Sequence, residues 1–385
     1  MARTSAFQGD MQAWRHEFHQ HPELEFDLGW TSARVAELLS GFGLEVHRGI
    51  GQSGVVAVLQ KGNGTRSIGL RADMDALPMD EANSFAHRSQ TPGKMHACGH
   101  DGHMAMLLGA AACLAQQGEF SGRVVFIFQP NEEFGQGAAA MIEDGLFERF
   151  PVDAVHAMHN MPGLQVGRFE TRTGPMTASE ALFEIEITAR GGHAALPHMG
   201  VDAITVGAEM VNALQTIVAR KLDPAQNGVV SVTEFVTDGR RNVLPGRASL
   251  RGDCRALTQE TNAAIEDRMR RIVAGIAMAH DVSATLTYDT IFEPTINSAG
   301  PTADAVRAAG VVGQVQGAAP PKLFSEDFAH MAAVVPGCFI LSGNGVEGSA
   351  ARPLHSADYD FNDAALVPGS SFWVELVEQT LGERR

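Results

Sequence analysis

Nowhere does the chain offer a run approaching the ~18 consecutive apolar residues that a membrane-spanning helix requires, so a membrane role is not expected. An excess of basic charge is equally missing. Against 45 Asp and Glu stand 29 Lys and Arg, a formal net charge of −16, and nucleic acid is not an expected partner because phosphate binding needs a basic surface. The same balance says little about small acidic substrates, since one local Arg can hold a carboxylate. Cysteine is sparse: Cys98, Cys113, Cys254 and Cys338 are widely spaced in 385 residues, which is not the density of a disulfide scaffold. Residues 1–10 carry neither an apolar run nor a small-residue cleavage pattern, so a cytoplasmic protein is expected. Internal repeats and low-complexity segments are also lacking.

What is present describes a globular protein, 44% hydrophobic and 19% charged, long enough to favour two domains over one. Helical patterns cover residues 11–20 and 31–40. Short β-type runs at 54–59 and 67–74 flank Lys61-Gly62-Asn63-Gly64-Thr65, a turn signal that predicts a hairpin. Helix 101–117, strand 123–128, helix 136–143 and strand 154–158 follow, an alternation that predicts a mainly parallel α/β sheet with helices on both faces. The grammar changes at residue 181. Strand 182–189, helix 201–221, strands 229–236 and 247–256, helix 258–280 and strand 282–290 spell βαββαβ, a ferredoxin-like two-layer unit. The expected organisation is therefore a first sheet over 1–180, an inserted domain over 181–292, and a return to the first sheet over 293–385.

Chemistry concentrates in Met95-His96-Ala97-Cys98-Gly99-His100-Asp101-Gly102-His103, which packs three histidines, a thiol and a carboxylate into nine residues. Cys98 and His100 can meet one metal, or two adjacent metals, only where the chain turns sharply, as Gly99 permits. Other metal-type side chains sit after strands, where open α/β sheets collect their active-site groups. Asp73 and Asp75 share a face at the end of one strand, Glu132 and Glu133 follow the next, His156 and His159 close a third, and His355 lies near the carboxyl terminus. Singly, each is an ordinary surface pair or loop histidine. Together they point to one centre in which one glutamate ligates a metal and its neighbour takes a proton from an activated water.

Several motifs then agree in order and spacing: Arg71-Ala72-Asp73-Met74-Asp75-Ala76-Leu77-Pro78, His96-Ala97-Cys98-Gly99-His100-Asp101, Gln129-Pro130 with Glu132-Glu133, Gly191-Gly192-His193-Ala194-Ala195, and Tyr359-Asp360-Phe361-Asn362-Asp363. From His21-Pro22-Glu23 to the final helix, the chain resembles the M20 metallopeptidases, in particular the amidohydrolase branch of hippurate hydrolases, N-acyl-amino-acid aminoacylases and auxin-conjugate hydrolases. The resemblance implies two divalent ions, zinc foremost and manganese, cobalt or nickel as alternatives. Cys98 would bridge them, with His100, Glu133, His159 and His355 as the other ligands. Glu132 would be the general base, and Asp75 would orient a ligating histidine or tune the site. The inserted domain would be a lid and dimerisation domain, making a homo-oligomer. Its His193 would stabilise the oxyanion, and its Asn242 and Arg255 would hold the substrate carboxylate. Whether His193 serves its own chain's site or a partner's is open. The implied reaction is cleavage of the amide of an N-acyl amino acid, hippurate- or N-acetyl-like, by metal-activated water.

This sequence departs from the family pattern at Asn131, where Ala or Gly is usual, in Phe134-Gly135-Gln136-Gly137, and in Gly252-Asp253-Cys254-Arg255. None of these removes an expected ligand or the base. Two rival readings stand beside the metal hydrolase. One is a thiol hydrolase with Cys98 as nucleophile and His100 or His96 as base. The other is a binding protein that keeps fold and metals without catalysis.

Overall fold

A computed structural model describes residues 1–382 and divides into two compact units. The larger comprises 1–176, 296–320 and 326–382, and the smaller 177–295 with 321–325. The smaller unit thus begins a few residues before 181 and runs past 292, and the segment 321–325 joins it from a distant part of the chain.

The larger unit is built on an eight-stranded sheet whose middle runs, in spatial order, Gly122–Gln129, Ser67–Asp73, Ala154–Pro162, Gly337–Gly345, all mutually parallel. Every residue of Ser67–Asp73 is buried, as a central parallel strand covered on both faces demands. The predicted hairpin between 54–59 and 67–74 does not form. Gly54–Lys61 and Ser67–Asp73 are separated by Gly122–Gln129, which pairs antiparallel with the first and parallel with the second. The hairpin partner of Gly54–Lys61 is Glu45–Ile50, a strand absent from the sequence reading. The turn signal is real, but a strand some sixty residues later occupies the position that a local reading assigns to its neighbour.

Helix His100–Gln117 is buried at every position from His100 to Leu114, as its apolar sequence on all sides requires. Gly99, with φ of 93°, makes the turn into it. Because the four central strands run the same way, their carboxyl ends and the loops after them gather at one edge.

In the smaller unit, Ser179–Thr188, Gly228–Thr237, Arg247–Ala256 and Ser283–Phe292 form an antiparallel sheet in the spatial order second, third, first, fourth. This is the ferredoxin-like arrangement that the βαββαβ order predicts. Burial alternates along Ser179–Thr188, the mark of a sheet with one covered face. Helices Ala203–Thr216 and Gln259–Ala279 supply the cover, burying Met210, Leu214, Ile265 and Met269 with Phe183, Ile185 and Leu250. Asp202 and Thr258 cap them by accepting the backbone N–H groups of Ile204 and Thr261. Among the described residues no helix is long and apolar enough to cross a membrane.

Candidate metal centre

Four strand ends and the start of the buried helix bring the expected side chains together within the larger unit. The Cys98 Sγ lies 3.4 Å from His159 Nε2 and 3.4 Å from His355 Nε2. His355 Nε2 is also 3.4 Å from Glu133 Oε2, and His100 Nε2 is 3.8 Å from Glu133 Oε1 and 3.9 Å from Glu132 Oε2. Two ligand bonds of ~2.1 Å meeting at a tetrahedral angle place their donors ~3.4 Å apart, so this spacing suits donors around a cation. Cys98, His100 and His159 make one triad and Cys98, Glu133 and His355 another. The thiol is common to both.

Hydrogen bonds to carbonyl oxygens fix the histidines, because a carbonyl can only accept. His100 donates Nδ1–H to the Asp75 carbonyl at 2.8 Å and His159 donates Nδ1–H to the Asn160 carbonyl at 2.7 Å, which leaves each Nε2 as the nitrogen that faces the site. The His100 Nε2 and Glu133 Oε1 are buried without a hydrogen-bond partner, a costly state unless a cation satisfies them. Turn geometry delivers the ligands: Gly99, Asn131 and His355 all have left-handed backbone, with φ of 93°, 49° and 62°. Asn tolerates that region better than Ala, which gives the departure at Asn131 a physical reason. The strain at His355 sits where function would hold it.

The electrostatics agree. Burial, then Glu133, Glu132 and Asp73, push the Cys98 thiol well above its usual range, so a thiolate here needs cationic neighbours. Burial raises Glu133 to about 7. Burial opposes a charged His100, yet Asp73, the bond to Asp75 and Glu133 lift it to about 10. Burial, followed by Glu326, Glu133 and Asp327 and opposed by Arg71, holds Glu132 well above the carboxylate range. Orphaned donors, a thiol among carboxylates and the donor set itself all fit two divalent cations.

A further carboxylate group, Glu132 with Glu326 and Asp327, faces a different cation. The fully buried Arg71 reaches Glu326 at 2.8 Å, Asp327 at 3.0 Å, Asp73 at 2.7 Å and the Gln129 side-chain oxygen at 2.8 Å. Arg71 was expected only as part of a motif, and Glu326 and Asp327 were not singled out, although an acidic pair directly before an apolar helix is a readable signal. His156 stays out of the centre, its Nε2 facing the Pro301 carbonyl at 3.4 Å. Asp101 pairs with Arg15 and His19, His103 with Asp73, and His96 is buried without partners.

In the smaller unit His193 lies in a two-stranded ribbon opposite Val243, and the Asn242 carbonyl accepts the Ala194 N–H at 3.1 Å, so His193 and Asn242 are neighbours. Arg255 is engaged with Asp253 at 2.9 Å, Glu180 at 2.9 Å and Ser325 at 2.8 Å. A substrate carboxylate would have to compete with these groups for it.

A parallel α/β sheet carrying a shared-thiol pair of ligand triads, with an inserted ferredoxin-like unit, is the architecture of a dinuclear metal-dependent hydrolase. Residues 69–379 match the peptidase family M20/M25/M40, and the chain belongs to that family. It is 38% identical over 376 residues to the hippurate hydrolase of Campylobacter jejuni, covering 96% of each chain. With the N-acyl-L-amino acid amidohydrolase of Geobacillus stearothermophilus it shares 42% identity over 291 residues, 75% of this chain and 78% of that one. A solved Bacillus subtilis structure described as a dinuclear metal binding peptidase from the M20 family superposes with a TM-score of 0.86 at 30% identity, covering 98% of this chain and 99% of that one.

Proposed function

We propose that this protein is a metal-dependent amidohydrolase that cleaves N-acyl amino acids to a carboxylic acid and a free amino acid. The observation that carries the reading is the Cys98 thiol shared between two ligand triads, with the carboxylate of Glu132, a member of neither, beside them. Relatives named for hippurate and N-acyl-L-amino acids supply the substrate class. Cys98, His100, Glu133, His159 and His355 would hold two ions, and thiolate, imidazole and carboxylate donors favour zinc over harder cations. The ions, when bound, polarise the scissile carbonyl and acidify water.

The chain's own residues do the rest. Glu132, buried beside the triads, serves as the base that takes a proton from water and the acid that returns it to the leaving amine. Asp75 accepts the backbone N–H groups of both Glu132 and Glu133 and fixes their relative orientation. His193 and Asn242 keep their roles as oxyanion and carboxylate contacts on the family resemblance alone. A thiol-hydrolase mechanism is disfavoured because that chemistry has no use for Glu133, His159 and His355 gathered around Cys98.

The test is a panel of acetylated, benzoylated and indole-acetylated amino acids, assayed with zinc, manganese, cobalt and nickel after chelation. Turnover that is lost on chelation and restored by metal is expected. A folded, metal-loaded protein inert on every member, or activity indifferent to chelation, would overturn the reading.

A further inference from the structure

Asn160 is linked to three of the residues proposed to hold metal, without being one of them. Its backbone carbonyl accepts the Nδ1–H of His159 at 2.7 Å and so sets that ring's orientation. Its side chain packs on the turn between Cys98 and His100: a Cβ built on Gly99 would lie 2.5 Å from Asn160 Oδ1 and 2.6 Å from the Tyr359 hydroxyl. That turn therefore rests directly on the Asn160 amide and the Tyr359 phenol.

Asn160 is itself held by two buried residues, His103 and Tyr359. His103 Nε2 lies 2.9 Å from the Asn160 backbone nitrogen and 2.7 Å from its side-chain Oδ1. The opposite ring nitrogen of His103 lies 2.6 Å from Asp73. Asp73 is anchored by Arg71 at 2.7 Å. On the other side the Asn160 amide donates to the Tyr359 hydroxyl at 2.5 Å. Tyr359 is fully buried, and its carbonyl is tied to the Asn83 side chain at 2.8 Å. Every member from Asp73 to Tyr359 is at most 2% exposed. Buried, fully partnered chains of this kind are rigid, and outer groups that orient metal ligands change metal affinity 10- to 100-fold when removed.

We infer that Asn160, braced by His103 and Tyr359, is a positioning residue that sets the spacing of Cys98, His100 and His159 before any ion arrives. The inference rests on the reading that these side chains hold metal. It adds that their geometry is imposed from behind by a residue that touches neither metal nor substrate.

The experiment uses full-length protein stripped of metal and reconstituted with cobalt(II). Wild type should bind two ions per chain and show thiolate-to-cobalt charge transfer. If it shows neither, the metal reading fails and the positioning role fails with it. Given a normal wild type, Tyr359→Phe, which keeps the ring and deletes only the hydroxyl, should weaken cobalt affinity ~10-fold in chelator competition and shift the cobalt absorption bands, with little change in the apoprotein melting temperature. Asn160→Ala should weaken it ~100-fold. The double variant should lose less than the two single losses combined, because the hydroxyl acts largely through the amide. Wild-type affinity and spectrum in folded Tyr359→Phe and Asn160→Ala would overturn the inference, as would losses that simply add. If Asn160→Ala does not fold, Tyr359→Phe alone decides in the same way.

Discussion

The carboxylate of Asp75 accepts the backbone N–H of Glu132 on Oδ1 at 3.0 Å, while its other oxygen takes the N–H of Glu133 at 3.1 Å. A single side chain at the end of one strand thus fixes the peptide that carries both the proposed base and a proposed ligand after the neighbouring strand. Hydrogen bonds to a charged acceptor contribute ~1.5–3 kcal/mol, and Asp75→Asn replaces one of these acceptors with an amide donor facing an N–H. The expected outcome is a kcat reduced ~10- to 100-fold with KM for benzoylglycine little changed, checked by steady-state kinetics at saturating metal.

Sharing Cys98 between the two triads makes the ligands unequal. Cys98→Ala removes a donor from both positions and should leave less than one tightly bound ion per chain. His355→Ala touches only the triad with Glu133 and should leave one. Metal content by atomic emission after exhaustive dialysis checks this, and equal losses in the two variants would deny the bridging role.

His156 gives a pH dependence unrelated to the metals. Burial, opposed by its bond to the Pro301 carbonyl and by Asp304, depresses it to about 4. Between that value and the unfolded ~6.5 the unfolded chain binds more protons, so this contribution rises with pH across the window and is lost as pH falls through it. The span corresponds to ~3 kcal/mol. His96, pushed by burial to about 3, adds to the same slope. Urea unfolding of wild type and His156→Gln at pH 4.5 and 7 should show the stability difference moving in the variant's favour at the lower pH. An unchanged difference would show that His156 does not enter folded and neutral.

What could be read from the sequence and what could not follow a physical line. That Cys98, His100, Glu133, His159 and His355 come together was legible because each is a metal-type side chain placed at a strand end or a sharp turn, and the parallel sheet gathers such ends. The smaller unit was legible because its alternation and helix periodicity are local. The pairing of Gly54–Lys61 was not, since the strand beside it comes from Gly122–Gln129 and no nearby residue records that. The roles of Asn160, Tyr359, Glu326 and Asp327 escaped notice for a related reason. Their roles lie in contacts with Gly99, His103 and Arg71, which are distant in sequence and meet only in the fold.

The proposed base can be tested alone. Glu132→Gln preserves size and removes the proton acceptor, and Glu132 belongs to neither of the triads that share Cys98. The measurement is kcat on benzoylglycine alongside metal content and melting temperature. An intact fold with two ions per chain and kcat reduced by at least ~1,000-fold is the predicted result, toward the upper end of what a general base contributes. A metal-replete Glu132→Gln protein retaining more than a few per cent of wild-type turnover would contradict it.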